Sequence, residues 1–202
     1  MDIFKSHQGK AVLLLRNNID TDQIIPKQFL KKVGKFGYGA DLFFDWRYDS
    51  QGKEIPNFEI NTPQARGASI LVTGNNFGCG SSREHAVWAL VQFGFKAVIA
   101  QKLPTMPGFA DIFRSNSMKN GLLTIELSEK DHQHLIDWYL QNPIENLSLD
   151  LENQTLTFGG NAQHFEFPQT ERERFLKGLD DISITLSHEE EILAYEKKCP
   201  KY

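Results

Sequence analysis

Ser69-Ile70-Leu71-Val72-Thr73 is a short apolar run of the kind that forms a buried strand. It leads directly into Gly74-Asn75-Asn76-Phe77-Gly78-Cys79-Gly80-Ser81-Ser82-Arg83-Glu84-His85. After Gly94 comes a second run, Lys96-Ala97-Val98-Ile99-Ala100. Between the runs, Ser82 to Phe93 carries a helical pattern. Gly94 suits the left-handed residue that follows a last helical turn. Strand, loop, helix and strand make a βαβ unit, which requires two parallel strands and a right-handed crossover.

Other elements extend outward from this unit. Upstream, Ala11 to Leu15 reads as a strand, followed by the polar segment Arg16-Asn17-Asn18-Ile19-Asp20-Thr21-Asp22 and by Pro26, which keeps the residue before it out of a helix. Residues 31–57 are rich in glycine, aromatics and charge. That is the composition of a functional loop, since so many aromatics oppose disorder. Downstream, 109–120 reads as a helix ended by Gly121, and 122–127 as a strand. Ser128 is placed to cap a helix that runs to about Leu140. From Leu147 to Phe167 apolar and polar residues alternate around the turn Gly159-Gly160-Asn161, the pattern of an antiparallel meander. Two short helices are expected near 170–177 and 187–198. The fold class is mixed, layered α/β, expected as one domain over 1–202 with a C-terminal helical extension.

Composition limits the function. The 202-residue chain is 40% hydrophobic and 24% charged, which is ordinary globular usage with enough length for a core. A formal net charge of -4 gives no basic field for nucleic acid. No apolar run is long enough to span a bilayer, and the N-terminus carries no secretory pattern, so neither membrane nor nucleic-acid partners are expected and the cytoplasm is the expected compartment. Two cysteines, Cys79 and Cys199, do not make a disulfide framework. They are also too few for an iron–sulfur cluster, which takes three or four thiolates.

The loop after Thr73 carries the chemistry. Gly74, Gly78 and Gly80 let the backbone approach another group closely. A helix N-terminus aims free N–H groups and a positive dipole at the same spot, which favours an anion. Arg83 adds a planar fork suited to a carboxylate, and Ser81 and Ser82 add two hydroxyls. A phosphate loop would need Gly-Lys-Ser/Thr, and no lysine is present. The dinucleotide fingerprint would need a glycine where Arg83 stands. A small carboxylate fits better than a nucleotide. The spacing of Ser81 and Glu84 also matches a capping box, so a purely structural cap is the competing reading.

Gly74 to His85 closely resembles the signature of the swivelling fourth domain of aconitases. It resembles still more the family of 3-isopropylmalate dehydratase small subunits. Five further segments agree in order: Asn18 to Leu30, Phe43 to Arg47, Gly94 to Ala100, Phe109 to Phe113 and Gly178 to Ile182. The likeness runs from about residue 8 to 197. It implies a swivelling β/β/α domain and a hydro-lyase that moves a hydroxyl to the neighbouring carbon by dehydration and rehydration, here in leucine biosynthesis. It also implies a large-subunit partner that carries a [4Fe–4S] cluster, with no cofactor bound by this chain, and a small dicarboxylic acid as substrate. Carried over by position, Ser81 is the catalytic base, and Ser82 and Arg83 bind substrate carboxylate. The same chemistry on another malate-type or homoaconitate-type diacid, or a non-catalytic carboxylate-binding module, stays open.

Several residues lie outside that signature. Phe29, Leu30, Phe36 and Tyr38 are apolar enough to meet an isopropyl group, or else pack on the core or a partner. Arg47 is a candidate second carboxylate ligand, with a structural ion pair as its alternative. Asp20-Thr21-Asp22 reads as an Asx-type turn rather than a metal site. His85 is expected to pack near the first helical turn, and His132, His134, His164 and His188 read as surface residues. Residues 101–108 form a longer link than the family pattern shows.

Overall fold

The computed structural model describes residues 2–199. One seven-stranded sheet runs through it. Its strands are β1 (Ser6–Leu14), β2 (Ile70–Thr73), β3 (Ala97–Lys102), β4 (Leu123–Ser128), β5 (Asn146–Asp150), β6 (Thr155–Phe158) and β7 (Asn161–His164), in the order β4-β3-β2-β1-β5-β6-β7. β1 to β4 pair parallel, and β5 to β7 continue antiparallel. β1 belongs to both halves. Ala11–Leu14 registers against Ile70–Thr73, while Ser6–Lys10 registers against the oppositely directed Asp150–Asn146.

The parallel half is buried on both faces, as parallel sheets require. Alternation sorts its side chains into two cores. Val12, Leu14, Leu71, Val98 and Ala100 face one core, and Ala11, Ile70, Val72, Ala97 and Ile99 face the other. The first core is closed by α3 (Glu84–Phe93) and α4 (Asp111–Lys119), through Ala86, Val87, Ala89, Leu90 and Phe113. The second is closed by α5 (Glu129–Gln141), the curled meander and α6 (Gln169–Lys177), through Leu135, Tyr139, Phe158, Phe165 and Phe175. Two one-turn helices, α1 (Thr21–Ile24) and α2 (Phe44–Arg47), lie in the long connection from β1 to β2.

Local signals explain most ends. Ser128 Oγ accepts from Asp131 N–H at 3.2 Å and starts α5. Gly94, at φ 122°, ends α3 by donating to Leu90 and Val91. α3 begins at Glu84 rather than Ser82, with Arg83 as a cap residue that makes no side-chain cap bond. The Ser81–Glu84 capping box therefore does not form: Glu84 Oε1 instead accepts from Asn120 Nδ2 at 2.9 Å. β1 also starts five residues before the expected strand, because Ser6–Lys10 is held by β5, a partner nothing local announces. α7 (Asp181–Leu186) is an additional helix, capped by Asp180, and neither it nor α8 (Glu189–Glu196) has a buried residue.

His132 is not a surface residue. It sits on the inward face of α5 at 3% exposure, with Nε2 buried and unbonded. Burial lowers its pKa, and a bond to the Thr73 backbone acts the other way. His7 is also lowered, first by burial and then by Lys96. Folding therefore keeps both imidazoles neutral where the unfolded chain binds protons. Stability is present above about pH 6.5 and declines as pH falls below it, levelling once the folded-state pKa is passed. Asp150 and Asp180 are held below the usual carboxylate range by backbone N–H donors of Asn153 and Ser183, so they do not titrate in that window. The expected result is a lower urea midpoint at about pH 5.5 than at about pH 7.5, with a smaller drop in His132→Asn. Equal drops in both proteins would remove His132 from this account.

Candidate active site

The glycine-rich loop leaves the C-terminal end of β2 and runs between two flanking segments, with an isolated bridge to each. On one side, Asn18 N–H donates to Asn75 O (2.9 Å), Gly78 N–H to Ile19 O (2.8 Å) and Thr21 N–H to Cys79 O (3.0 Å). Asn17 Oδ1 accepts from Asn75 N–H at 3.0 Å, and Asn76 Nδ2 donates to Asn18 Oδ1 at 2.8 Å. On the other side, Asn76 N–H donates to Pro107 O (2.9 Å), Phe77 N–H to Gly108 O (2.9 Å) and Ala110 N–H to Phe77 O (3.1 Å). Gly78, at φ 75°, lets the backbone lie directly on the Phe113 ring, where a Cβ has no room. The loop is held on both sides up to its tip.

At the tip the side chains come free. Ser81 and Ser82 are exposed, and Thr21 Oγ1 donates to the Ser81 carbonyl at 2.8 Å. The backbone of Ser81 is thus fixed while its hydroxyl stays available. Arg83 is turned inward, its side chain only 16% exposed, with Nη2 2.9 Å from Asp22 Oδ1. That contact is Coulombic and lies off the hydrogen-bond axis, so Asp22 Oδ1 and Arg83 Nε are both buried without a hydrogen bond. Lys27 Nζ lies 3.1 Å from the other Asp22 oxygen. Thr21, Gly78, Gly80, Ser81, Ser82 and Arg83 line a cleft of about 240 Å³ whose far wall is the start of α4. A larger cleft of about 680 Å³, between Leu103 and His164, is lined by none of these residues.

The sequence missed the part Asp22 plays. Asp20 closes a capping box with Gln23 at the start of α1, which bears out the local-turn reading. The same turn delivers Asp22 to Arg83, and only the fold makes that pairing visible.

The remaining candidates separate. Phe29 and Leu30 follow α1 and are half-buried against the first core, with the Phe29 ring 4.8 Å from Phe44. Phe36 is 87% exposed, whereas Tyr38 is fully buried and its hydroxyl donates to the Lys32 and Gly34 carbonyls. His85 packs edge-on to Tyr38 and against Trp88. Arg47 is corrected to a structural role. It is 7% exposed, its Nε donates to Asn61 Oδ1 at 3.1 Å, and its Cζ lies 4.8 Å over Phe93 at the end of α3 opposite Ser81.

Among the described residues no group of three or more His, Cys, Asp or Glu is placed to hold a metal. The chain does not fit a [4Fe–4S] cluster, since Cys199 is exposed in the C-terminal segment and Cys79 is a single half-buried thiol. Burial, then the Asp20 charge, pushes the Cys79 pKa up, away from a thiolate ligand. No helix of the described residues is long and apolar enough to cross a membrane.

The class follows from comparison: residues 1–130 match the aconitase C-terminal domain family. Over 202 residues, covering all of both chains, the sequence is 48% identical to a 3-isopropylmalate dehydratase small subunit of Bacillus cereus strain AH820. It is equally similar to one of Bacillus thuringiensis subsp. konkukian. A crystal structure of 3-isopropylmalate dehydratase from Methanocaldococcus jannaschii aligns with a TM-score of 0.61 at 25% identity, covering 96% of this chain and 99% of that one. The chain belongs to the family of 3-isopropylmalate dehydratase small subunits.

Proposed function

We propose that this chain is the base-bearing half of a 3-isopropylmalate dehydratase of leucine biosynthesis, active with a large subunit on 2-isopropylmalate and 3-isopropylmalate. One observation carries the reading: the exposed Ser81 and Ser82 line one cleft together with the Arg83 side chain, which Asp22 holds from behind. A substrate carboxylate is a planar acceptor that suits a guanidinium fork. At about 240 Å³ the cleft is below the roughly 300–1,000 Å³ of complete ligand pockets, as half of a shared site would be.

In this reading Ser81 removes the proton from the carbon beside that carboxylate and returns one on rehydration. A serine hydroxyl is a very weak acid, so its anion needs charge nearby. Arg83 supplies it, and the N-terminus of α3 adds its dipole. Ser82 contributes a hydroxyl donor to the carboxylate. Asp22 holds the Arg83 fork in place. Phe29 and Leu30 are the proposed contacts for the isopropyl group. The [4Fe–4S] cluster is assigned to the large subunit, and departure of the hydroxide falls to that subunit.

Anaerobic reconstitution with the large subunit tests the reading, with the alkene intermediate followed by its ultraviolet absorbance. The assembled complex should interconvert the two isomers. Arg83→Lys should raise KM by roughly tenfold to a hundredfold with a smaller change in kcat, because a point charge replaces a charge-assisted fork of about 1.5–3 kcal/mol. An unchanged KM in Arg83→Lys would remove Arg83 from substrate binding, and an assembled complex with no turnover would end the assignment.

A further inference from the structure

Residues 103–108, the part of the 101–108 link that follows β3, have a defined place in the fold. Leu103 and Met106 exchange backbone hydrogen bonds of 2.9 and 3.3 Å across Pro104-Thr105. The chain then runs along the glycine loop, where Pro107 O and Gly108 O take the N–H groups of Asn76 and Phe77. This strap is itself held by one side chain from the neighbouring strand. Glu126 Oε1, on β4, accepts from Gly108 N–H at 2.7 Å, and Oε2 lies 3.6 Å from Lys102 Nζ. The Glu126 side chain is 18% exposed. Gly108 lies so close to the sheet that an added Cβ would come within 3.1 Å of Ala100 Cβ and of the Glu126 side chain.

We propose that Glu126 is a positioning residue for proton transfer: by clamping Gly108 it fixes the strap against which Asn76 and Phe77 register, and so sets where Ser81 stands. The proposal rests on the reading of Ser81 as the base. The loop has two flanks, and residues 16–21 supply one of them from the chain itself. The other flank bridges the loop at Phe77–Phe109 and turns on itself at Leu103–Met106, and its hydrogen bond to β4 at Gly108 runs through the Glu126 carboxylate. Without that acceptor the strap exchanges a fixed bond for water, and the edge that carries the Asn76 and Phe77 contacts is free to shift against β4. Proton transfer from carbon depends steeply on such placement, while binding through Arg83 is set by Asp22 on the opposite flank.

The test uses the complex assembled with its large subunit and two variants of similar volume. Glu126→Met removes the acceptor without leaving a cavity, and Glu126→Gln keeps an acceptor oxygen without the charge. Glu126→Met is expected to lose on the order of tenfold to a hundredfold in kcat with KM within about twofold. Glu126→Gln should restore most of the loss. In the chain alone, amide exchange at Asn76 and Phe77 should quicken on the order of tenfold in Glu126→Met but not in Glu126→Gln. Wild-type kcat in Glu126→Met, or a Gln variant as impaired as the Met variant, overturns the proposal. If Glu126→Met does not fold, the Gln variant decides alone: faster Asn76 and Phe77 exchange in it defeats the acceptor argument. Failure of the underlying reading looks different, because full turnover in a Ser81→Ala complex would remove the base whatever Glu126 does.

Discussion

Ser81→Ala is expected to lower kcat of the assembled enzyme by on the order of 10²–10⁴, the usual contribution of a positioned acid–base group. Assembly and melting temperature should stay close to wild type. The structure makes this substitution a clean probe. α3 starts after Arg83 and uses no serine as its cap, so removing the hydroxyl does not fray the helix. Thr21 bonds the Ser81 carbonyl, which alanine retains. Ser81 is exposed, so no cavity is left. Turnover of both isomers, exchange of the substrate's α-proton with deuterated solvent, and co-purification with the large subunit would be measured together. Proton exchange at the wild-type rate in the alanine variant would show that another group is the base.

Gly78→Ala is expected to have the largest effect on stability. At φ 75° a side chain costs about 1 kcal/mol relative to glycine. The new methyl would also fall on the Phe113 ring, which is 2% exposed and wedged between Phe77 and Phe109. Overpacking of that kind adds about 1–3 kcal/mol. Together they lower the melting temperature by roughly 5–15 °C for a chain of this length. Phe113→Leu should recover part of the loss in the double variant, as expected for residues in contact. Additive losses in that double variant would show that the two positions do not meet.

The βαβ unit was legible because its signals are local. The apolar run before Gly74, the glycine-rich turn and the left-handed Gly94 each act within a few residues, and all three hold in the structure. Ser128 and the alternating meander were legible for the same reason. What escaped depends on partners far along the chain. The first half of β1 is polar and reads as coil until β5 is placed beside it. His132 looks like one of several scattered histidines until α5 turns it inward. Within the site, Ser81, Ser82 and Arg83 are contiguous and could be singled out together. The Asp22–Arg83 pair joins residues from separate segments, as does the tie between Glu126 and Gly108, so no spacing rule reveals either. Arg47 shows the converse: its composition suits a ligand, yet aromatic rings and carbonyls enclose it.

The double allegiance of β1 has a consequence for biosynthesis. The opening half of this strand leaves the ribosome well ahead of its antiparallel neighbour, which follows roughly 140 residues later. At about 5–20 residues per second, that edge waits on the order of ten seconds or more without its mate. During this interval the nascent chain presents a bare ribbon of backbone donors and acceptors, the kind of surface that recruits holdases or pairs with a neighbouring nascent copy.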